Sequence, residues 1–262
     1  MNRLPAMTGW LWLKDGFAIF RKQPFELSSL FVSYLFLMIL IGIVPLLGQI
    51  LPVILLPTFS LAFLQASKQV RAGEKVHPRI LFAAFRSPAL KRLLWLGVLQ
   101  MAAALLAIGL SVLVDDGLFW KIMSGQIALD PKVVADSNMG FAMLVAALVY
   151  LPTTMAFWFA PPLIAWQDMG VGKAVFYSFF AVRREARAFA VYGVAWALVG
   201  ILVPMLASLV LALLFNSANL IVMLMVPLSL LLTVVLYCSF YSSWFDVFGV
   251  PDPMPPALDI EA

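Results

Sequence analysis

The chain has 262 residues, of which 64% are hydrophobic and 11% charged. An average soluble domain is roughly 45–50% apolar and about 25% charged, and a globule of this length has too little interior to hide the excess from water, so the solvent is lipid. Cys238 is the one cysteine and the formal net charge is +4, which excludes a disulfide scaffold; the basic residues flank apolar runs instead of forming a patch with stacking aromatics, which excludes a nucleic-acid binder.

The leader reads as an amphipathic helix. Trp10, Leu13, Phe17 and Phe20 recur at i, i+3, i+7 and i+10 on one face, and Lys14 and Arg21 lie seven apart on another. This pattern suits a helix in the membrane interface, rings toward the bilayer and basic face toward headgroups. The first apolar run follows at 27–47; it is long enough to span and lacks a small-x-small cleavage site, so it reads as a spanning helix and not as a cleavable signal. A joint at Gly48-Gln49 leads to the second span, 50–67. Pro45, Pro52 and Pro57 remove backbone donors and predict kinks or breaks in this pair.

A basic segment separates spans two and three. It carries Phe82-x-x-Phe85-Arg86, an echo of Phe17-x-x-Phe20-Arg21 in the leader, with Pro88 following as Pro24 follows the first. The third span takes 93–114, and 115–139 forms a mildly acidic loop with Asp115, Asp116, Asp130 and Asp136. Asp115-Asp116 reads as a solvated loop start in preference to a cation site. The fourth span, 140–165, is interrupted by Pro161-Pro162 near its end. A looser third echo, Phe179-x-x-Val182-Arg183, precedes the fifth span at 188–215; Asn216-Ser217-Ala218-Asn219 turns the chain into the sixth, 220–245, and an acidic tail covers 246–262. Pro204 and Pro227 lie inside the last two spans.

These elements define an all-α polytopic membrane protein with six transmembrane helices plus short interfacial amphipathic helices, in a single membrane domain. None of the six stretches contains Asp, Glu, Lys, Arg or His. With six spans, fifteen of the seventeen Lys and Arg residues fall on one side and only Lys121 and Lys132 on the other, a positive-inside signal that predicts cytoplasmic termini. Trp10, Trp12, Trp95, Trp166 and Trp244 fall near the same boundary. The echoes read either as a three-fold repeat over 8–67, 78–165 and 171–245 or as three unrelated juxtamembrane elements. Small residues four apart (Ala103 and Ala107, Ala142 and Ala146, Gly193 and Ala197) allow close helix approach.

The catalytic inventory is thin. His77 is the one histidine and reads as a loop residue, and Cys238 reads as a small buried side chain. No phosphate loop, metal-ligand cluster or nucleophile elbow is present, so no catalytic, cofactor-binding or metal-binding residue is assigned. Asp15, Glu74, Asp168, Glu185 and Asp246 are scattered acids that read as partners of nearby arginines. At depth the polar groups are neutral, among them Gln100, Thr153, Thr154, Ser208, Ser229 and Thr233, which argues against proton coupling and voltage sensing. Ser239, Ser243 and Asp246 share a face of the last helix beside Tyr237 and Tyr241. Asp246 reads either as a structural tie to one of Arg21, Arg86 or Arg183, or as an exposed helix-end acid.

Four stretches carry a resemblance: Gly9-Trp10 through Gln23-Pro24, Met155-Ala156-Phe157-Trp158-Phe159-Ala160-Pro161, Lys173-Ala174-x-Phe176-x-Ser178, and Tyr237-Cys238-Ser239-x-Tyr241 ending in Asp246-Val247-Phe248. Together they resemble a family of proteobacterial six-helix inner-membrane proteins, a domain of unknown function, over nearly the whole chain. The plan of interfacial helix, basic corner and hairpin is more loosely similar to other bacterial six-helix families, one of which sits beside glycerophosphodiester phosphodiesterases. The resemblance implies location and topology and supplies no ligand residues. Where that family often has an asparagine after the third arginine corner, this chain has Arg184-Glu185.

Two functions follow as expectations. The first is a non-enzymatic inner-membrane protein whose Lys14, Arg21, Arg86 and Arg183 engage anionic phospholipid headgroups, organising lipid or a membrane-protein partner. The alternative is a permease or facilitator for an apolar or amphipathic small molecule, built on the proline-broken spans.

Overall fold

The computed structural model describes residues 3–45, 47–127, 137–215 and 218–249. In chain order the helices are α1 (Thr8–Lys22), α2 (Pro24–Gly42), α3 (Leu47–Ala72), α4 (Leu90–Asp115), α5 (Leu118–Met123), α6 (Met139–Trp158), α7 (Ala160–Trp166), α8 (Val171–Arg184), α9 (Ala186–Leu214) and α10 (Ala218–Phe248). Two short 3-10 turns, Pro78–Phe82 and Ala84–Arg86, precede α4. Among the described residues there is no strand, and six helical stretches are long and apolar enough to cross a membrane: α2, α3, α4, α6 continued by α7, α9 and α10. Lys132, Asp130, Asp136, Asn216-Ser217 and the tail beyond Gly249 lie outside the described residues.

The first hairpin turns earlier than the sequence suggests. α2 ends at Gly42, the turn centres on Pro45, and Gly48-Gln49 belong to the first turn of α3. Pro45 lacks the N–H needed to continue α2, and it disfavours helical geometry at Val44. Gly48 has a packing role instead: a Cβ there would stand 2.4 Å from the Gly42 carbonyl oxygen. The other prolines divide into two groups. Pro52, Pro57, Pro152, Pro204 and Pro227 stay inside continuous helices, whereas Pro161-Pro162 coincide with the break between α6 and α7.

That break is held by a hydroxyl. Ser178 of α8 donates to the Met155 carbonyl at 2.8 Å and accepts from the Phe159 N–H at 2.9 Å. The two backbone groups would otherwise bond to each other in an unbroken helix. The serine therefore replaces one rung of the ladder and satisfies both groups in a buried setting.

Burial is concentrated at one end of the bundle. Most of α3 between Leu55 and Val70 is buried, as is much of α10 between Val234 and Trp244, with Leu56 and Leu236 left exposed, and every residue of α7 is buried. The opposite halves of α9 and α10 expose Leu209, Leu213, Val222 and Met223, as expected of lipid-facing surface. The packed end is where the basic residues lie: α1 packs on α9 and α10, and α8 on α6 and α7. Backbones approach closely through glycines. A Cβ on Gly9 would meet the Ala188 oxygen at 2.0 Å, on Gly16 the Ser239 Cβ at 2.6 Å, and on Gly97 the Ile54 oxygen at 2.0 Å. Of the small pairs named from spacing, Ala107 and Ala142 are buried in the α4–α6 contact, while Gly193 has open space beside it.

Two readings change on the basic end. The leader helix forms, but its buried face is Gly9, Trp12, Leu13, Gly16 and Ile19, against α9 and α10. The ring face is rotated relative to this contact: Leu13 is buried, Phe17 and Phe20 are half-buried, and Trp10 stays exposed, because the glycines that allow the closest approach are centred nearer Leu13 than Trp10. The Phe82-x-x-Phe85-Arg86 echo forms 3-10 turns and no α-helix, being confined between Pro78 and Pro88.

A candidate headgroup cleft and a cavity within the bundle

α1 is fastened to the bundle by its indole and its acid. Trp12 is buried between the rings of Phe189 and Tyr192 of α9, with centroids 5.0 and 5.7 Å away. Its Nε1–H donates to Asp246 Oδ2 of α10 at 2.8 Å. Asp15, one turn on, accepts from Ser242 Oγ at 2.7 Å and pairs with Arg71 at 3.2 Å. Arg71 in turn lies 4.1 Å from the centre of the Phe245 ring. Beneath these contacts, Ser239 donates its single proton to the Leu236 carbonyl, so the Tyr192 hydroxyl, 2.7 Å away, donates to Ser239.

Asp246 is an exposed acid near the helix end, as one of the two sequence readings had it, and it also ties two helices together, through tryptophan. No arginine pairs with it among the described residues; Arg21 lines the same cleft, and Arg86 and Arg183 do not. The α1–α10 contact puts the Trp12 edge against the carboxylate, so an indole N–H stands at Oδ2. Three other acids do meet arginines. Asp15 pairs with Arg71, Asp168 with Arg92, and Glu185 with Arg184 at 2.6 Å. Glu185 is buried and also accepts the Leu4 N–H at 2.7 Å. Glu74 contributes its backbone: its carbonyl and the Val76 N–H are clamped by the Gln23 amide at 2.5 and 3.0 Å.

Between α1 and the ends of α3 and α10 lies an open cleft of about 430 Å³, lined by Lys14, Asp15, Arg21, Arg71, Ser242 and Asp246. Lys14, Arg21, Arg86 and Arg183 are all exposed, and none forms an ion pair or ring contact among the described residues. The structure brings Lys14 and Arg21 together in the cleft and leaves Arg86 and Arg183 outside it. Arg71 and Ser242 are the cleft residues that sequence reasoning missed. Arg71 looked like any of seven basic loop residues, and Ser242 is one position off the Ser239–Ser243–Asp246 face.

On the other side of the molecule, Asp115 caps the start of α5. Its Oδ1 accepts the Gly117 N–H at 3.0 Å and its Oδ2 the Phe119 N–H at 2.7 Å. His77 is exposed and Cys238 is buried.

Within the bundle a second space opens. A cavity of about 370 Å³ lies among α3, α4, α6, α7 and α10, with Ser60, Gln100, Tyr150, Thr153, Thr154 and Tyr237 in its walls. The structure therefore gathers Gln100, Thr153 and Thr154, whereas Ser208 and Thr233 lie elsewhere and donate to the carbonyls of Met205 and Ser229. Pro57 and Pro161 also line it.

The chain is 39% identical over 259 residues to a probable inner membrane protein of Burkholderia thailandensis, covering 97% of this chain and 95% of that one. It belongs to that protein's family. No family profile and no solved structure matches it. The match is to an inner-membrane protein across almost the full length, so it takes in every element described above. The stretches that carried the resemblance meet in space: Trp12 on Asp246, Gly16 on Ser239, and Ser178 on Met155 and Phe159.

Proposed function

We propose that the packed basic end of this inner-membrane protein faces the cytoplasm and engages anionic phospholipid headgroups, without catalysis, so as to organise lipid or a partner membrane protein. One observation carries the reading: the cations chosen from the sequence are exposed and unpaired among the described residues, while Arg71, Arg92 and Arg184 are taken up by acids. A cation already neutralised by a carboxylate offers little to a phosphate. An unpaired one near an anionic surface contributes on the order of 1 kcal/mol. Lys14 and Arg21 line the same cleft, which supports a shared headgroup site.

The test is lipid retention. Wild type and the Lys14→Glu, Arg21→Glu, Arg86→Glu, Arg183→Glu variant are purified in mild detergent, and bound lipid is quantified by mass spectrometry. The expected result is loss of phosphatidylglycerol and cardiolipin from the variant at unchanged melting temperature. Equal retention by both proteins overturns the proposal.

The bundle cavity favours a second reading, a facilitator for an apolar or amphipathic solute. That reading requires water to reach Gln100 and Thr153. In a background lacking Cys238, cysteines at these positions would react with a membrane-impermeant maleimide if it holds, and stay unlabelled if it does not.

A further inference from the structure

We infer that the cavity among α3, α4, α6, α7 and α10 is a binding site for the polar end of a neutral glyceride, a diacylglycerol-type lipid, entering sideways from the bilayer. The inference does not rest on the headgroup reading.

Its first support is an unpaired amide. Gln100 lies eight residues along α4 from Arg92, about 12 Å deeper at 1.5 Å per residue, inside a hydrocarbon layer about 30 Å thick. It lines the cavity, and no described residue hydrogen-bonds to its side chain. A primary amide at this depth is unfavourable unless something polar meets it. The second support is a pair of carbonyls. Pro57 and Pro161 lack the N–H groups that would bond to the Val53 and Phe157 carbonyls one turn earlier, and Val53 and Phe157 line the same cavity. The third is the hydroxyl pattern. Ser60, Thr153 and Thr154 donate to the carbonyls of Pro57, Val149 and Tyr150, so they present lone pairs to an occupant.

These groups specify the occupant. The walls offer acceptors for a hydroxyl, and donors for ester carbonyls from the Gln100 amide and the phenols of Tyr150 and Tyr237. No lining residue is charged, so a phosphate or ammonium finds no counter-ion. Several polar groups on separate helices suit a ligand with a hydroxyl and two esters better than an isolated alcohol. The exposed Val53, Leu56, Tyr150 and Leu236 at its edge leave an opening toward lipid for the acyl chains.

The experiment reconstitutes the full chain in phosphatidylglycerol–phosphatidylethanolamine vesicles with a diazirine-bearing dioleoylglycerol, and maps crosslinks by peptide mass. A phosphatidylcholine probe with the same chains reports ordinary boundary lipid. The expected result is glyceride labelling focused around Gln100 and Thr153, blocked by unlabelled dioleoylglycerol. Labelling should fall about tenfold in Gln100→Leu and in Ala104→Phe, as losing a hydrogen bond in a dry site or filling the cavity implies. The proposal is overturned if both probes label the same residues equally. It is also overturned if folded variants keep full labelling, or if a long-chain isoprenoid alcohol competes as well as the glyceride.

Discussion

Trp12 and Asp246 stand 234 positions apart and set the way the leader meets the last helix. Because the donor is a neutral indole N–H, what matters at position 246 is an acceptor, not a negative charge. Asp246→Asn keeps a carbonyl there and is expected to leave the detergent melting temperature nearly unchanged. Asp246→Leu strands a buried N–H and is expected to lower stability by about 1–3 kcal/mol, read as a clear fall in melting temperature. An equally large fall for both substitutions would show that charge, and not the acceptor, is what matters at position 246. From the sequence the acid was visible as the end of a Ser239–Ser243–Asp246 face, but its partner was not. Opposite charge is the first partner to look for, and it pointed to Arg21, Arg86 or Arg183, with an exposed helix end as the alternative. Trp12 was hidden because the leader's ring spacing drew attention to Trp10 and Phe17.

Helix packing follows the glycines and one serine. Gly16 and Gly97 sit where a side chain would strike Ser239 or the Ile54 carbonyl, and backbone cannot yield as a flexible side chain can. Gly16→Val and Gly97→Val are each expected to cost about 1–3 kcal/mol through overpacking. Gly193→Val, with open space beside it, serves as the control measured in the same thermal assay. Ser178→Ala removes the hydroxyl that bridges Met155 and Phe159 and is expected to destabilise the α6–α7 break by about 1–3 kcal/mol. Six spans, their limits to within a few residues, and the Pro161-Pro162 interruption were legible because hydropathy length and proline act locally. The role of each glycine was not. Close approach depends on which helix arrives opposite, and spacing alone favoured Gly193, which has no neighbour, over Gly9, Gly16 and Gly97.

At the scale of the molecule, burial, ion pairs and exposed cations collect at one end of the bundle, and the cavity lies deeper among the spans. The charge asymmetry was readable from the sequence, since it needs only the order of spans and the positions of Lys and Arg. The division of those cations into paired and unpaired was not readable, because Arg71, Arg92 and Arg184 differ from Arg21, Arg86 and Arg183 only in what folds beside them. The cavity was half visible. Gln100, Thr153 and Thr154 stood out as polar residues at depth, but nothing in their order separated them from Ser208 and Thr233. The account as a whole depends on the basic end lying in the cytoplasm. Fusions of alkaline phosphatase and green fluorescent protein after Arg79 and at each terminus test this most directly. Fluorescent, phosphatase-inactive fusions at all three sites are expected; an active phosphatase at any one of them would contradict it.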